Sequence, residues 1–170
     1  MAISLRPALP GDSLAVARVH VRAWQVAYRG LLPDAYLDGL KPEDRAARYT
    51  FGDTAPGRPA TLVAVDGETV CGFVTTGAAR SAERAGELLA LNVDPDQWRR
   101  GIGRTLIIAA RERLLQRGYE TAVLMLLEGN ARADQFYRAD GWAPDGHKQT
   151  DEVWGALVTA LRYRRPLEQG

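Results

Sequence analysis

Between Leu88 and Leu106 an apolar run becomes an amphipathic helix across a loop holding two glycines, and that junction confines the chain to folds in which a buried strand feeds a helix. Leu88-Leu89-Ala90-Leu91-Asn92-Val93 reads as the strand, closed by Asp94-Pro95. Ile102, Leu106, Ala109/Ala110 and Leu114 recur at helical spacing on one face, and Gly118 after Arg117 supplies a stop. Gln97-Trp98-Arg99-Arg100-Gly101-Ile102-Gly103-Arg104-Thr105 joins the two. The first N–H groups of a helix have no intrahelical acceptor, and glycine lets a ligand approach the backbone closely, so the joint predicts an anion site. Arg99, Arg100 and Arg104 add positive charge to it.

Two nucleotide-binding patterns compete for such a joint, and both fit badly. A dinucleotide fingerprint requires a third Gly or Ala where this chain has Leu106, and no Gly-Lys-Ser/Thr follows four spacer residues as a phosphate-binding P-loop requires.

A second unit follows. Thr121 to Leu127 reads as another buried strand, and Asn130 to Trp142 as a short helix with Asn130 at its N-cap and Gly141 just past its end. Together, the glycine loop after its strand and this second unit resemble motifs A and B of the GNAT superfamily, the acetyl-CoA-dependent N-acyltransferases. Gly101 and Gly103 match the motif A pattern Gln/Arg-x-x-Gly-x-Gly/Ala, while Trp98 stands where that pattern has Gln or Arg. The departure removes one polar side chain and leaves a cradle built of backbone N–H groups intact. Trp142 to Gly146 and Leu161 to Leu167 resemble the usual close of the fold, so the resemblance covers nearly the whole chain in the right order.

The resemblance implies an α/β (α+β type) GNAT fold, with a central mixed, mostly antiparallel sheet of about seven strands flanked by about four helices. The length of 170 residues and the 46% hydrophobic content suit a single domain spanning 1–170. Ile3 to Arg6 reads as a first strand, Asp12 to Tyr28 as a helix, and Pro33 to Leu37 and Pro42 to Tyr49 as helical pieces before a Gly/Pro-rich loop from Gly52 to Pro59. Thr61 to Val65 and Thr69 to Thr75 flank the turn signal Asp66-Gly67, and Ser81 to Gly86 is a polar loop. His147 to Thr150 and Ala156 to Arg164 read as a final hairpin.

A net charge of +1 gives no general field for nucleic acid or an anionic membrane, although Arg162, Arg164 and Arg165 form a local cluster. The single Cys71 excludes an intrachain disulfide, no apolar signal core opens the sequence, and no apolar run reaches membrane-spanning length, which together predict a cytoplasmic location. His20 and His147 lack metal-ligand spacing and read as ordinary polar residues, so no metal is expected; Cys71 lies in an apolar strand with no neighbouring His and makes a poor nucleophile.

The chemistry implied by the resemblance is direct transfer of an acetyl group from acetyl-CoA to a primary amine of a small molecule, peptide or protein. Trp98 to Arg104 would hold the pyrophosphate, with Thr105 beside them at the cofactor, and Leu91, Asn92 and Val93 the pantetheine arm, with the Val93 N–H the best placed to meet the thioester oxygen. An ammonium with a pKa near 10.4 is only about 0.04% deprotonated at pH 7, so a base helps. Glu87, fourteen residues before Gly101, resembles the family's catalytic glutamate; an exposed strand-end carboxylate and a water chain are the competing readings. Tyr137 matches the general acid that protonates the departing thiolate, and Asn130 adds a cofactor contact to its cap. The acceptor side is expected at Trp24, Tyr28 and Tyr36 and the loop Asp145 to Trp154, with nothing selecting the amine. A non-catalytic acyl-CoA sensor and an unrelated nucleotide-binding protein are the rival functions; a homodimer is left open.

Overall fold

The structure is a computed structural model that describes residues 2–168. Its strands β1 (Ser4–Pro7), β2 (Ala60–Asp66), β3 (Thr69–Ala78), β4 (Gly86–Val93), β5 (Thr121–Leu127), β6 (Ala143–Val153) and β7 (Ala156–Pro166) form one sheet in the order β1-β2-β3-β4-β5-β7-β6. Every neighbouring pair is antiparallel except β4 and β5. The helices are α1 (Ser13–Ala27), α2 (Asp34–Asp38), α3 (Pro42–Ala46), α4 (Ile102–Gln116) and α5 (Ala131–Ala139), so two short helices, α2 and α3, bring the number to one more than expected.

The two faces of the sheet have separate cores. On one, Val16 and Val19 of α1 pack with Val63, Val65 and Phe73. On the other, Ile102, Leu106, Ile107, Ala110 and Leu114 of α4 pack with Val74, Leu88 and Leu124, and with Tyr137 and Trp142. Phe73 and Val74 fall in opposite cores because successive side chains of a strand alternate between faces. Burial of each such aliphatic side chain is worth about 1.5–3 kcal/mol, which is what holds helices of modest intrinsic propensity against the sheet.

Helix α5 is fixed at both ends. The Asn130 side-chain oxygen accepts from the Ala133 N–H at 3.2 Å, Gly141 sits at φ +91°, and the Trp142 indole donates to Asp140 at 2.9 Å while Arg111 donates to the same carboxylate. The final hairpin is longer than its sequence signal. Strand β6 begins at Ala143 rather than His147, and its register with β7 breaks between Pro144 and Lys148. Pro144 is tolerated because β6 is the edge of the sheet, where a missing N–H leaves no ladder bond unmade.

The parallel pair determines where a ligand can enter. Strands β4 and β5 are in register only at Gly86–Ala122 and Glu87–Val123 and separate beyond that point. Opposite, Thr75 faces Ala90 and Thr76 faces Leu88, so Leu89 is an extra residue that bends β4 at the start of the separation.

Candidate active site

A cavity of about 460 Å³ occupies the gap between β4 and β5. Leu88 to Val93 and Leu124 to Leu126 form its walls, the glycine loop and α5 border it from the α4 face, and His20, Trp24, Tyr28 and Arg45 border it from the α1 face. The Asp94 N–H donates to the Cys71 carbonyl at 2.8 Å, which makes Gly72–Val93 a pair that exchanges no ladder bonds with β3. The backbone N–H groups of Leu91 and Val93 therefore point away from β3 toward the gap, where β5 has withdrawn. These are unpaired strand donors of the kind that bind an extended, amide-rich chain.

At the mouth of the gap the chain enters α4 through left-handed residues, Arg99 at φ +69° and Gly101 at φ +76°. Such alternation turns successive N–H groups inward and forms an anion-binding concavity at the positive end of the α4 dipole. The two glycines are there for different reasons. A Cβ on Gly101 would meet nothing within 4 Å, so its requirement is conformational, whereas a Cβ on Gly103 would lie 3.3 Å from Phe136 of α5, so its requirement is close packing between helices. Trp98 takes over part of the missing polar role: its indole N–H donates to the Val93 carbonyl at 2.9 Å, and the Arg132 guanidinium lies 3.5 Å from the centre of its ring.

Most of the residues expected at the site do border the cavity: Leu91, Asn92, Val93, Trp98, Arg99, Gly101, Ile102, Gly103, Arg104, Asn130, Tyr137, Trp24 and Tyr28. Four do not. Arg100 turns to the β2–β3 hairpin and pairs with Asp66 at 3.3 Å, because the bend at Gly101 sends its side chain out of the loop. Thr105 is exposed, and its hydroxyl donates back to the Gly101 carbonyl at 3.1 Å. Tyr36 packs edge-on against Trp154, ring centres 5.6 Å apart, which closes α2 against the β6–β7 turn. Glu87 is neither exposed nor on the cavity wall: it is 1% exposed, and its carboxylate accepts from the Arg80 N–H at 3.1 Å and from the Arg80 guanidinium at 2.8 Å.

Tyr137 is buried at the cavity beside Phe136 and Trp142. Burial, reinforced by Tyr28, raises its phenol far above the ordinary value, so it is protonated at neutral pH and has an O–H to donate into the cavity. Burial alone raises Tyr28. The Asn130 oxygen is committed to its cap, leaving its amide N–H₂ as the group able to donate to a ligand.

Several wall residues escaped the sequence reading, among them Arg132 on α5 and, on the α1 face, His20 and Arg45. His20 is 4% exposed, tilted against Trp24 with ring centres 4.8 Å apart, and 3.5 Å from the Asn92 side chain. Burial, aided by the Arg45 charge, pushes it down to about 3, so it faces the cavity as a neutral imidazole. A signal existed: His20 and Trp24 of α1 and Tyr28 at its C-cap are spaced four apart, which places them on one side of the helix. For Arg45, on a five-residue helix, no local signal existed. Elsewhere burial pushes the Cys71 thiol up, which suits a packing residue. Among the described residues no group of three His, Cys, Asp or Glu side chains is arranged for a metal, and no helix is long and apolar enough to cross a membrane.

Comparison with known proteins gives the same architecture. Residues 21–142 match the model of the acetyltransferase (GNAT) family. An uncharacterised N-acetyltransferase, YuaI, of Bacillus subtilis is 31% identical over 133 residues, which cover 75% of this chain and 73% of the relative. Among solved structures, the PaiA N-acetyltransferase of Thermoplasma acidophilum in complex with coenzyme A superposes with a TM-score of 0.75 at 19% identity, covering 98% of this chain and 99% of that one. The ribosomal-protein-S18-alanine N-acetyltransferase of Escherichia coli superposes with a TM-score of 0.69 at 18% identity, covering 99% and 96%.

Proposed function

The chain belongs to the acetyltransferase (GNAT) family and is an acetyl-CoA-dependent acyltransferase, and from that premise we propose that it transfers the acetyl group directly to a primary amine, without a covalent enzyme intermediate. The observation that carries the reading is the separation of β4 from β5 beyond Glu87, which brings the anion cradle, the free strand N–H groups and the Tyr137 phenol to one cavity. The cradle at Arg99 to Arg104 suits the pyrophosphate of the cosubstrate, and the Leu91 and Val93 N–H groups suit the carbonyls of the pantetheine arm. The Val93 N–H is the donor we assign to the thioester oxygen, where it stabilises negative charge as the amine attacks. As the tetrahedral species collapses, the carbon–sulfur bond breaks and Tyr137 gives its proton to the leaving thiolate, whose ordinary pKa is on the order of 8.5.

The proton lost by the amine needs a route. Among the described residues no carboxylate borders the cavity, and Glu87 is tied to Arg80 at the closed end of the gap. We assign it the role of base acting through water that reaches the bend at Leu89. A cytoplasmic location suits the single buried cysteine.

The test is release of free thiol from acetyl-CoA with a panel of amines, run beside calorimetric titrations of acetyl-CoA, ATP and NAD. Thiol release that depends on an amine supports the reading. Tight acetyl-CoA binding without turnover on any amine would make the protein a sensor instead, and preference for ATP or NAD would overturn both.

A further inference from the structure

Arg45 stands apart from the other arginines of the cavity. Arg99, Arg104 and Arg132 belong to the glycine loop, α4 and α5, on the face that suits the cosubstrate's phosphates. Arg45 belongs to α3 and comes to the wall with His20, Trp24 and Tyr28 from the α1 face, which is the acceptor side if the reading above holds. Among the described residues it forms no ion pair within 4 Å. Its Nε is buried and makes no hydrogen bond of good geometry, and neither does the hydroxyl of Tyr49; the Arg45 side chain lies within hydrogen-bonding reach of that hydroxyl and, by that contact and by its charge, opposes the rise burial gives the phenol. Tyr49 is neutral and His20 is uncharged, so neither supplies a counter-charge.

A buried guanidinium nitrogen without an acceptor is costly, and an unpaired charge in a cavity wall costs more; both are relieved when a ligand brings an anion. A guanidinium presents its donors in a fork that matches a carboxylate. The rest of the wall agrees: among the described residues no Asp or Glu borders the cavity, so a polycationic amine would find repulsion from Arg45 and no compensating carboxylate there.

We infer that the acceptor is a primary amine that also carries a carboxylate, and that Arg45 holds that carboxylate while the amine is presented to the thioester. This rests on the acetyltransferase reading and narrows it. Trp24 and Tyr28, edge-to-face with ring centres 4.9 Å apart, supply the apolar part of the same wall.

The experiment compares matched amines in the thiol-release assay: free amino acids against their carboxamides, dipeptides with an acidic residue against neutral ones, and spermidine as the polycation. The expected result is a kcat/KM at least about tenfold higher for the carboxylate member of a pair, with the responding pair identifying a free amino acid or a peptide as the source. In Arg45→Met, which keeps the apolar stem, that preference falls about tenfold or more through KM while acetyl-CoA affinity is unchanged; Arg45→Lys restores part of it. Equal turnover of acids and amides, faster turnover of spermidine, or a preference that survives Arg45→Met overturns the inference and leaves the enzyme reading intact. Loss of acetyl-CoA binding in Arg45→Met would assign the guanidinium to the cosubstrate and also overturn it. Where acetyl-CoA binds and no amine turns over, calorimetric binding of the same pairs to the coenzyme A complex decides: no preference for carboxylates counts against Arg45. Failure of the wild type to bind acetyl-CoA at all removes the enzyme reading itself.

Discussion

The indole N–H of Trp98 donates to the Val93 carbonyl at 2.9 Å, tying the first residue of the glycine loop back to the last residue of β4. The tie occupies an acceptor that would otherwise face the gap, and the same ring carries the Arg132 guanidinium over its face. One tryptophan therefore shapes the cradle and positions a charge from α5 over it. Trp98→Ala loses a hydrogen bond worth about 1 kcal/mol and a cation–π contact worth about 0.5–1 kcal/mol. The expected result is roughly a tenfold weaker calorimetric affinity for acetyl-CoA, with Trp98→Phe intermediate because it keeps the ring face. Equal affinity in all three proteins would separate the loop from cosubstrate binding.

The two glycines of the loop respond differently to alanine. Gly101→Ala forces an L-residue into the left-handed region, at a cost of about 1–2 kcal/mol, with open space around the new methyl. A lowered melting temperature with modest loss of affinity is expected. Gly103→Ala drives a methyl toward Phe136 and displaces the helix that carries Tyr137. Turnover is expected to fall more than stability, as read by single-turnover rates beside thermal melts. If Gly103→Ala turns over normally, the contact with Phe136 is slack.

Tyr137→Phe keeps the ring contacts with Phe136 and Trp142 and removes only the proton. Single-turnover rates are expected to drop about tenfold or more, at unchanged acetyl-CoA affinity, in line with the usual contribution of general acid catalysis. Since burial and Tyr28 raise the phenol pKa, no alkaline loss of activity from Tyr137 ionisation should occur below about pH 10. A normal rate in the Phe variant would make Tyr137 a packing residue.

Glu87→Gln removes the charge facing Arg80 while preserving an acceptor for the Arg80 N–H. If the carboxylate takes the amine proton through water, the rate at saturating substrates falls most at low pH and recovers as pH rises, because unassisted deprotonation becomes easier. A pH profile superimposable on that of the wild type, accompanied by a lower melting temperature, would leave Glu87 as the partner of Arg80 only.

His20 makes the fold sensitive to acid. Its folded pKa of about 3 lies below the unfolded value near 6.5, so between those values the unfolded chain binds a proton that the native state refuses. Stability therefore rises with pH across that window and is lost as pH falls below about 6.5, by up to a few kcal/mol. His20→Gln should flatten this part of the profile in denaturant melts at pH 4, 5.5 and 7. An unchanged slope would assign the acid sensitivity to other groups.

The local features of this chain could be read directly from its sequence. The strand before Asp94, the α4 face from Ile102 to Leu114, the Asn130 cap and Gly141 at the end of α5 rest on interactions within a few residues, and nearest neighbours in the chain fix them. The departure at Trp98 was equally visible, but its hydrogen bond to Val93 was not, because it depends on how the loop folds back. Tertiary structure decided the rest. The bend at Leu89 and the parting of β4 from β5 follow from register in the whole sheet. Arg100 met Asp66, Glu87 met Arg80, His20 met Asn92 across 72 residues, and Arg45 arrived beside His20 with no ion-pair partner among the described residues. Side-chain periodicity says which face a residue takes, but the partner it meets there depends on where separate elements dock, and burial of apolar surface, which is non-directional, sets that docking for the fold as a whole.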